Sequence, residues 1–337
     1  MNESIPPIAP LAAAPAPALD YKDRSTGLTV FGILTILLGG LCGLFTLLLS
    51  VSLLKVRPAG APPASASGLL MALGIYGGLA VVLIWLGIGS IMNRRWARAL
   101  LLLFSWSWLI IGIPMTVILP FLMGKAFANL PPDAKTGKPV LPPGVATGMV
   151  IGLTIFFFVF FVLVPALWVF FYQSRHVQAT CAARDPVTRW TDACPLPVLG
   201  FSLWTALAVP LMLLWPLTGH AVMPCFGMFV SGLPAALFCV VVAAVWGLAA
   251  WWLYRLDARG WWLILGAMLL YLVSALLTYS HHDIVEMYQL QGYPPAEIDR
   301  LQKMGLFTGN RMGWFTALFT LPFLGYLLFI KKYLRKN

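Results

Sequence analysis

Eight long apolar runs dominate this chain and leave only short polar segments between them. The runs cover residues 26–53, 68–92, 99–122, 146–172, 198–217, 226–253, 261–280 and 312–330. A helix needs about 20 apolar residues to cross the hydrocarbon core of a membrane. Backbone groups in lipid must be hydrogen-bonded within their own segment, and continuous apolar sequence indicates helices rather than strands. We therefore predict an all-α integral membrane protein with eight transmembrane helices.

The balance of charge agrees with a chain that lies mostly in lipid. Charged residues make up 10% of the 337 residues, against about 25% in a typical soluble domain. The net charge of +11 would suit a nucleic-acid partner in a soluble protein. In a membrane protein it indicates basic residues retained at the cytoplasmic face. We predict contact with anionic lipids there and no nucleic-acid partner.

A polar segment at residues 173–197 divides the chain into two halves, because four apolar runs lie on each side of it. We interpret it as a cytoplasmic linker, called the connector below, between four-helix halves at 26–172 and 198–333. Residues 1–25 are rich in Pro and Ala and lack a basic segment followed by an apolar one, so we predict a disordered cytoplasmic tail rather than a secretory signal. Residues 334–337 form a basic tail.

Three landmarks recur in the two halves at nearly the same separation, which favours an internal duplication. They are Ala97-Arg98 with Ala258-Arg259, Pro131-Pro132 with Pro294-Pro295, and Pro165 with Pro322. Each half has an even number of spans, so both halves enter the membrane from the same side. We therefore predict a parallel repeat, whose axis runs along the membrane normal.

Basic clusters predict the orientation, because Lys and Arg are retained on the cytoplasmic side. With eight spans, one side carries both termini and the turns after the second, fourth and sixth runs. The clusters on that side are Arg94, Arg95 and Arg98; Arg255 and Arg259; and Lys331, Lys332, Arg335 and Lys336. We predict an inner (plasma) membrane protein with both termini in the cytoplasm.

Pairs of glycines four residues apart let helix backbones approach closely in lipid. They are Gly39 and Gly43, Gly74 and Gly78, and Gly148 and Gly152. We expect such pairs to pack helices within the bundle. The alternative is a contact with a second copy of the chain or with another membrane protein.

No Asp, Glu, Lys, Arg or His lies well inside any of the eight runs. Ionisable residues inside the membrane usually mark ion pathways or catalysis. Their absence argues against a proton-coupled carrier and an intramembrane metalloprotease. We predict no catalytic residues and no cofactor from motifs of known chemistry.

Histidines concentrate in the outer loops of the second half, where a metal site is the sharpest hypothesis. If the seventh helix continues past residue 280, His282 and Glu286 share one face, and His220 lies on the same side of the membrane. We propose His220, His282 and Glu286 as candidate metal ligands, supported by His281 or Asp283. The alternative is an ordinary solvated helix end.

Cys181 and Cys194 in the connector do not match a known zinc spacing, even with His176 nearby. Thiols in the cytoplasm are expected to stay reduced. With the opposite orientation a disulfide becomes an alternative. For the connector as a whole we expect a structured hairpin that joins the halves, with a docking element for a partner as the alternative.

The stretch RDPVTRWTDACPLPVLGFSLW, from Arg184 to Trp204, resembles a linker in uncharacterised bacterial polytopic membrane proteins. The phrases TGLTVFGIL and NRRWARAL are similar to small bacterial membrane domains of unknown function, with Ser25 where those domains have Pro. The resemblance implies a bacterial inner membrane and a helical bundle, and it implies no activity.

Three classes of function fit the sequence. The first is a non-enzymatic protein that binds partners or lipids or helps to assemble a complex, and it explains the lack of buried charge. The second is a transporter or channel for an uncharged or hydrophobic molecule. It is favoured by the repeat and by the prolines inside the apolar runs, which are Pro114, Pro165, Pro210, Pro234 and Pro322. The third is a metal-dependent enzyme at the outer face. Fold alone does not choose among them.

Overall fold

The computed structural model describes residues 21–55, 63–128, 142–218, 221–295, 298–299, 302 and 310–334. Within these residues the chain is almost entirely helical, as predicted. The helices are α1 (Ser25–Lys55), α2 (Pro63–Ile91), α3 (Arg95–Ala128), α4 (Pro143–Phe158), α5 (Val164–Gln173), α6 (Arg175–Arg184), α7 (Leu196–Leu214), α8 (Gly232–Tyr254), α9 (Ala258–His281), α10 (Ile284–Leu290) and α11 (Asn310–Ile330).

Eight helical segments are long and apolar enough to cross a membrane, which confirms the predicted number of spans. They are Ser25–Val51, Leu69–Ile91, Arg95–Lys125, Gly144–Gln173, Leu196–Leu217, Gly232–Tyr254, Ala258–His281 and Met312–Tyr333. Their surfaces expose many large apolar side chains, among them Leu37, Val81, Val117 and Phe170. In water such surfaces would drive association, so this exposure is the expected face toward lipid.

The sixth apolar run begins with a β-hairpin rather than with a helix, which corrects the predicted start at residue 226. Strand β1 (Val222–Cys225) pairs antiparallel with β2 (Met228–Ser231). Both turn residues have positive φ, 43° at Phe226 and 97° at Gly227, as tight two-residue hairpins require. Composition did not separate the hairpin from the helix because both are apolar.

The fourth span contains a π-helical turn at Val159–Leu163, between α4 and α5. Pro165 lies two residues after this turn and has no amide hydrogen to give to it. The wider turn lets the Val164 amide donate to the Val159 carbonyl instead. Gly112 of α3 packs against this segment, and a side chain there would meet the carbonyl oxygen of Phe161.

Glycines bring α1 and α2 into close contact. A Cβ added at Gly32 would lie 2.8 Å from the Gly87 carbonyl oxygen, and one added at Gly39 would lie 3.1 Å from the Ala80 carbonyl oxygen. The first predicted glycine pair thus packs within the bundle. A Cβ at Gly74, Gly78, Gly148 or Gly152 would meet nothing within 4 Å in the described chain.

The second half packs α7 on α8, α8 on α9, and α9 on α11. The indole of Trp261 donates to the Leu327 carbonyl oxygen at 2.7 Å, which ties α9 to α11. The two halves meet through α3 and α7. There the Trp204 indole donates to the Ser107 hydroxyl at 2.6 Å.

The turns after α2 and α8 have the same backbone shape. Asn93 and Leu256 have φ of 55° and 60°, and each donates its amide to a carbonyl three residues earlier. This resemblance agrees with the predicted duplication. It is also a common way to end a helix, so the repeat stays a prediction.

Candidate functional site

The connector is ordered into α6 and a short 3-10 turn at Trp190–Asp192. The Tyr254 hydroxyl donates to the Trp190 carbonyl oxygen at 3.0 Å. The Tyr326 hydroxyl donates to the Pro197 carbonyl oxygen, also at 3.0 Å. The ends of α8 and α11 therefore meet the connector at one face of the molecule. We call this face, with the turn at residues 92–94, the connector face.

Asp185 anchors the connector to the start of α3. Its side chain is only 2% exposed and lies between the guanidinium groups of Arg94 and Arg189, at 3.5 and 3.2 Å. The backbone amide of Arg95 donates to its second oxygen at 3.3 Å. Burial opposes ionisation, but the hydrogen bonds from Arg189 and Arg95 outweigh it, so the pKa of Asp185 is lowered.

The residues before α1 lie against α6. The amide of Arg24 donates to the Thr180 hydroxyl at 3.1 Å. The Asp23 carboxylate pairs with Arg184 at 3.2 Å. These contacts place the residues that precede α1 beside the connector.

A cavity of about 250 Å³ lies between the first turn of α3 and the connector. Its walls include two cations, one carboxylate and two thiols. The lining side chains with polar or sulphur groups are Arg95, Arg98, Gln178, Cys181, Thr191, Asp192 and Cys194. Apolar residues, among them Ala99 and Leu196, complete the wall.

Cys181 and Cys194, whose spacing matches no known zinc pattern, both line this cavity. Both are free and buried. Desolvation raises the pKa of the Cys181 thiol to about 11, and burial raises that of Cys194 to about 11 as well. The thiols are therefore protonated at neutral pH and are poor nucleophiles.

Basic side chains at the connector face rest on aromatic rings. Lys331 lies over Trp261 and Trp262, with its Nζ 4.4 and 5.1 Å from the ring centroids. The other pairs are Arg255 over Trp251, Arg259 over Trp252 and Lys332 over Phe329. We call these residues the basic–aromatic belt.

On the opposite side of the second half, the structure brings His282 and Glu286 together. The His282 Nδ1 lies 2.7 Å from the Glu286 Oε2, although α9 ends at His281 and α10 begins at Ile284. The hydrogen bond with Glu286 raises the pKa of His282. His220 lies outside the described residues. Among those described, no group of three or more His, Cys, Asp and Glu is arranged to hold a metal ion, so this metal site stays a prediction.

Sequence reasoning did not find the cavity. Within the connector, Arg189 pairs locally with Asp185. Asp185 and Asp192 also pair with Arg94 and Arg95 at the start of α3, and each of these partners lies more than ninety residues away in the sequence. The sequence signal that could have predicted these contacts is the cluster of Arg94, Arg95 and Arg98, together with the two aspartates of the connector.

Comparisons with protein-family models, curated proteins and solved structures found no match. The resemblance to bacterial domains of unknown function, carried by Arg184–Trp204 and the two shorter phrases, stays a prediction. What the fold does support is a multi-pass membrane protein with eight candidate spans.

Proposed function

We propose that this protein is a non-enzymatic membrane protein that binds anionic lipids at the connector face, and that this face lies in the cytoplasm. The basic–aromatic belt is the observation that carries the proposal. Trp and Tyr favour the level of the lipid headgroups. Each basic residue near an anionic surface contributes about 1 kcal/mol of attraction.

The belt geometry suits this role because its rings and cations lie together. Trp251 and Trp262 are each more than half exposed, so they can enter the headgroup region beside Arg255 and Lys331. A ring below each cation reduces the cost of bringing it close to apolar surface. Anionic headgroups then meet a cation held over a ring.

A matched pair of lysines tests the proposal. Lys331 belongs to the belt, whereas Lys125 lies near the other end of its span and rests on Phe121 at 5.0 Å. We expect Lys331→Gln to weaken retention of phosphatidylglycerol about fivefold, which corresponds to about 1 kcal/mol. Lys125→Gln should have little effect. Native mass spectrometry of protein released from mixed phosphatidylglycerol and phosphatidylcholine nanodiscs measures the retention, and equal losses would contradict the proposal.

The orientation has its own test. A reporter fused to the C-terminus, active only in the cytoplasm, should be active in cells. A reporter active only outside the cytoplasm should be silent at the same position. The reverse pattern would contradict the cytoplasmic placement while leaving the lipid preference intact.

The other functions stay predictions. A transporter or channel would need a polar-lined passage near the midplane between the halves. A metal-dependent enzyme at the outer face is favoured by one observation, the contact between His282 and Glu286. A homo-oligomer or a membrane protein partner also stays a prediction.

A further inference from the structure

The arginines that line the cavity beside the connector have hydrogen-bond donors that contacts within the described chain leave unused. The Arg98 Nε donates to the Tyr172 carbonyl oxygen at 3.1 Å, which holds the guanidinium in place. Within the described chain, its two terminal amino groups have no acceptor. The Arg95 guanidinium has one long contact, 3.5 Å from its Nε to Asp192.

The wall carries a net positive charge, with two guanidinium groups against one carboxylate. The Asp192 carboxylate already accepts from the Arg189 amide at 3.0 Å and faces Arg95. Asp192 therefore offsets one of the two positive charges, and the wall keeps a net positive charge. An anion in the cavity would be attracted by Arg98 and by the unused donors of Arg95.

Thr191 is a second, independent sign of a ligand. Thr191 is 2% exposed and is one of the residues that line the cavity. Its hydroxyl is buried with no hydrogen-bond partner in the described chain. A buried hydroxyl without a partner costs about 1–3 kcal/mol, and such groups in native proteins usually find a partner.

We propose that this cavity binds a phosphate group, held by the guanidinium groups of Arg95 and Arg98 and by the hydroxyl of Thr191. A planar guanidinium donates two parallel hydrogen bonds to phosphate oxygens. The first turn of α3 lines the same cavity and adds the positive end of a long helix. The volume is smaller than that of most sites for drug-sized ligands, so it suits a headgroup or a small ion.

Two sources can supply this chemistry. The cavity lies where two spans begin, at Arg95 and Leu196, so a phospholipid headgroup can reach it from the membrane. Inorganic phosphate can reach it from the aqueous side. The site is separate from the basic–aromatic belt, so the two proposals stand or fall independently.

The test uses the full chain in phosphatidylcholine nanodiscs, titrated with inorganic phosphate by calorimetry. We expect Thr191→Val to weaken binding about tenfold, because it removes one hydrogen bond to a charged group. Arg95→Gln should weaken it at least as much. Arg175→Gln is the matched control, because Arg175 is an exposed arginine of α6 outside the cavity. Lys331→Gln should also leave phosphate binding unchanged.

A lipid arm distinguishes the sources. Nanodiscs that contain phosphatidylglycerol are analysed by native mass spectrometry for lipid that stays bound. Loss of retained phosphatidylglycerol in Thr191→Val and Arg95→Gln identifies a headgroup. Binding of inorganic phosphate without lipid retention identifies a soluble source. The proposal is overturned if wild-type protein binds no inorganic phosphate and the cavity variants retain phosphatidylglycerol like wild type. It is also overturned if the cavity variants bind both phosphate and phosphatidylglycerol like wild type.

A measurement on the wild-type protein removes dependence on folding of the variants. Cys181 and Cys194 line the cavity, whereas Cys225 lies in the hairpin. At about pH 9, where part of a thiol population is ionised, saturating phosphate should slow methanethiosulfonate modification of Cys181 and Cys194 at least severalfold. The rate at Cys225 should not change. Equal rates with and without phosphate at Cys181 and Cys194 would also overturn the proposal.

Discussion

The carboxylate of Asp185 and the guanidinium of Arg94 lie 3.5 Å apart, although the two residues are separated by 91 positions in the sequence. The pair joins the connector to the turn between α2 and α3. Arg189 lies 3.2 Å from the same carboxylate oxygen. One buried acidic group thus holds the connector against the first half.

We expect Asp185→Asn to destabilise the protein by about 1–2 kcal/mol at neutral pH, because it removes a buried acceptor of charged hydrogen bonds, while the two arginines, each about a third exposed, stay partly hydrated. The pKa of Asp185 is lowered in the folded protein. Its stabilisation is therefore complete above the unfolded pKa of about 3.9 and is lost as the pH falls through the lower folded pKa. Denaturant unfolding in detergent micelles at several pH values measures the difference.

Asp23→Asn is the matched control for that experiment. Asp23 also pairs with an arginine, Arg184, at 3.2 Å, but its side chain is half exposed. Exposed pairs contribute little because water and salt screen them. A large effect of Asp23→Asn, or none of Asp185→Asn, would contradict the role assigned to the buried carboxylate.

Ser90 links three spans of the first half through its hydroxyl. It donates to the Leu28 carbonyl oxygen at 2.9 Å and lies 2.8 Å from the Tyr172 hydroxyl. A hydroxyl has one proton, so Tyr172 is the donor to Ser90. We expect Ser90→Ala to cost about 1–2 kcal/mol, since it leaves the Tyr172 hydroxyl and the Leu28 carbonyl without this partner.

A double-mutant cycle with Tyr172→Phe isolates the pair. Tyr172→Phe leaves Ser90 bonded to Leu28, so it should cost less than Ser90→Ala. Ser50→Ala is the control, because among the described residues the Ser50 hydroxyl bonds to the Thr46 carbonyl of its own helix and to no other span. Strictly additive effects of Ser90→Ala and Tyr172→Phe would argue against the link.

Gly112 is required by the close approach of α3 to the π-helical turn. A Cβ there would clash with the Phe161 carbonyl oxygen, and backbone cannot move aside as a side chain can. We expect Gly112→Ala to destabilise the protein by about 2 kcal/mol. Gly148→Ala, where a Cβ meets nothing within 4 Å, should be neutral or slightly stabilising. Thermal unfolding in detergent compares the two, and similar melting temperatures would refute the packing argument.

The thiols of Cys181 and Cys194 should react slowly with maleimide at neutral pH. With a pKa of about 11, about one thiol in 10,000 is ionised at pH 7. The rate should keep rising as the pH approaches 11, and denatured protein should instead level off near pH 8.5. Mass spectrometry assigns the modified residue. Fast labelling of the folded protein at pH 7 would show that the sites are not buried.

Glu286→Gln should lower the pKa of His282, because the hydrogen bond that the ring donates to the Glu286 carboxylate favours the protonated ring. The folded pKa is raised, so the pair stabilises the protein below the unfolded pKa of about 6.5. That contribution is lost as the pH rises through the folded pKa. NMR titration of labelled histidines measures the shift, and an unchanged His282 would contradict it.

The same spectra test the predicted metal site. If His220, His282 and Glu286 hold zinc, added zinc should suppress titration of His220 and His282 together. Glu286→Gln should weaken the effect. If both histidines titrate in the presence of zinc as they do without it, the predicted metal site is wrong.

Local features of the sequence were sufficient to predict the eight spans. The length and composition of each apolar run decide whether a helix crosses a membrane, and both can be read from about 20 neighbouring residues. The hairpin at 222–231 was missed because its apolar residues continue the run into α8. Two features distinguish the hairpin from the helix. One is the turn at Phe226 and Gly227. The other is the pair of hydroxyls, of Ser274 and Thr278, that accept hydrogen bonds from the amides of those two turn residues.

The order of residues along the chain is therefore enough to predict eight apolar helices in lipid, with a polar connector between the fourth and fifth. The contact of Asp185 with Arg94, and the cavity lined by Arg95, Arg98 and Thr191, follow from how the helices pack. The two kinds of feature differ in the range over which they depend on the sequence. Hydrophobic transfer acts on each segment where it stands, whereas an ion pair or a cavity depends on which distant segments the packing of helices brings together.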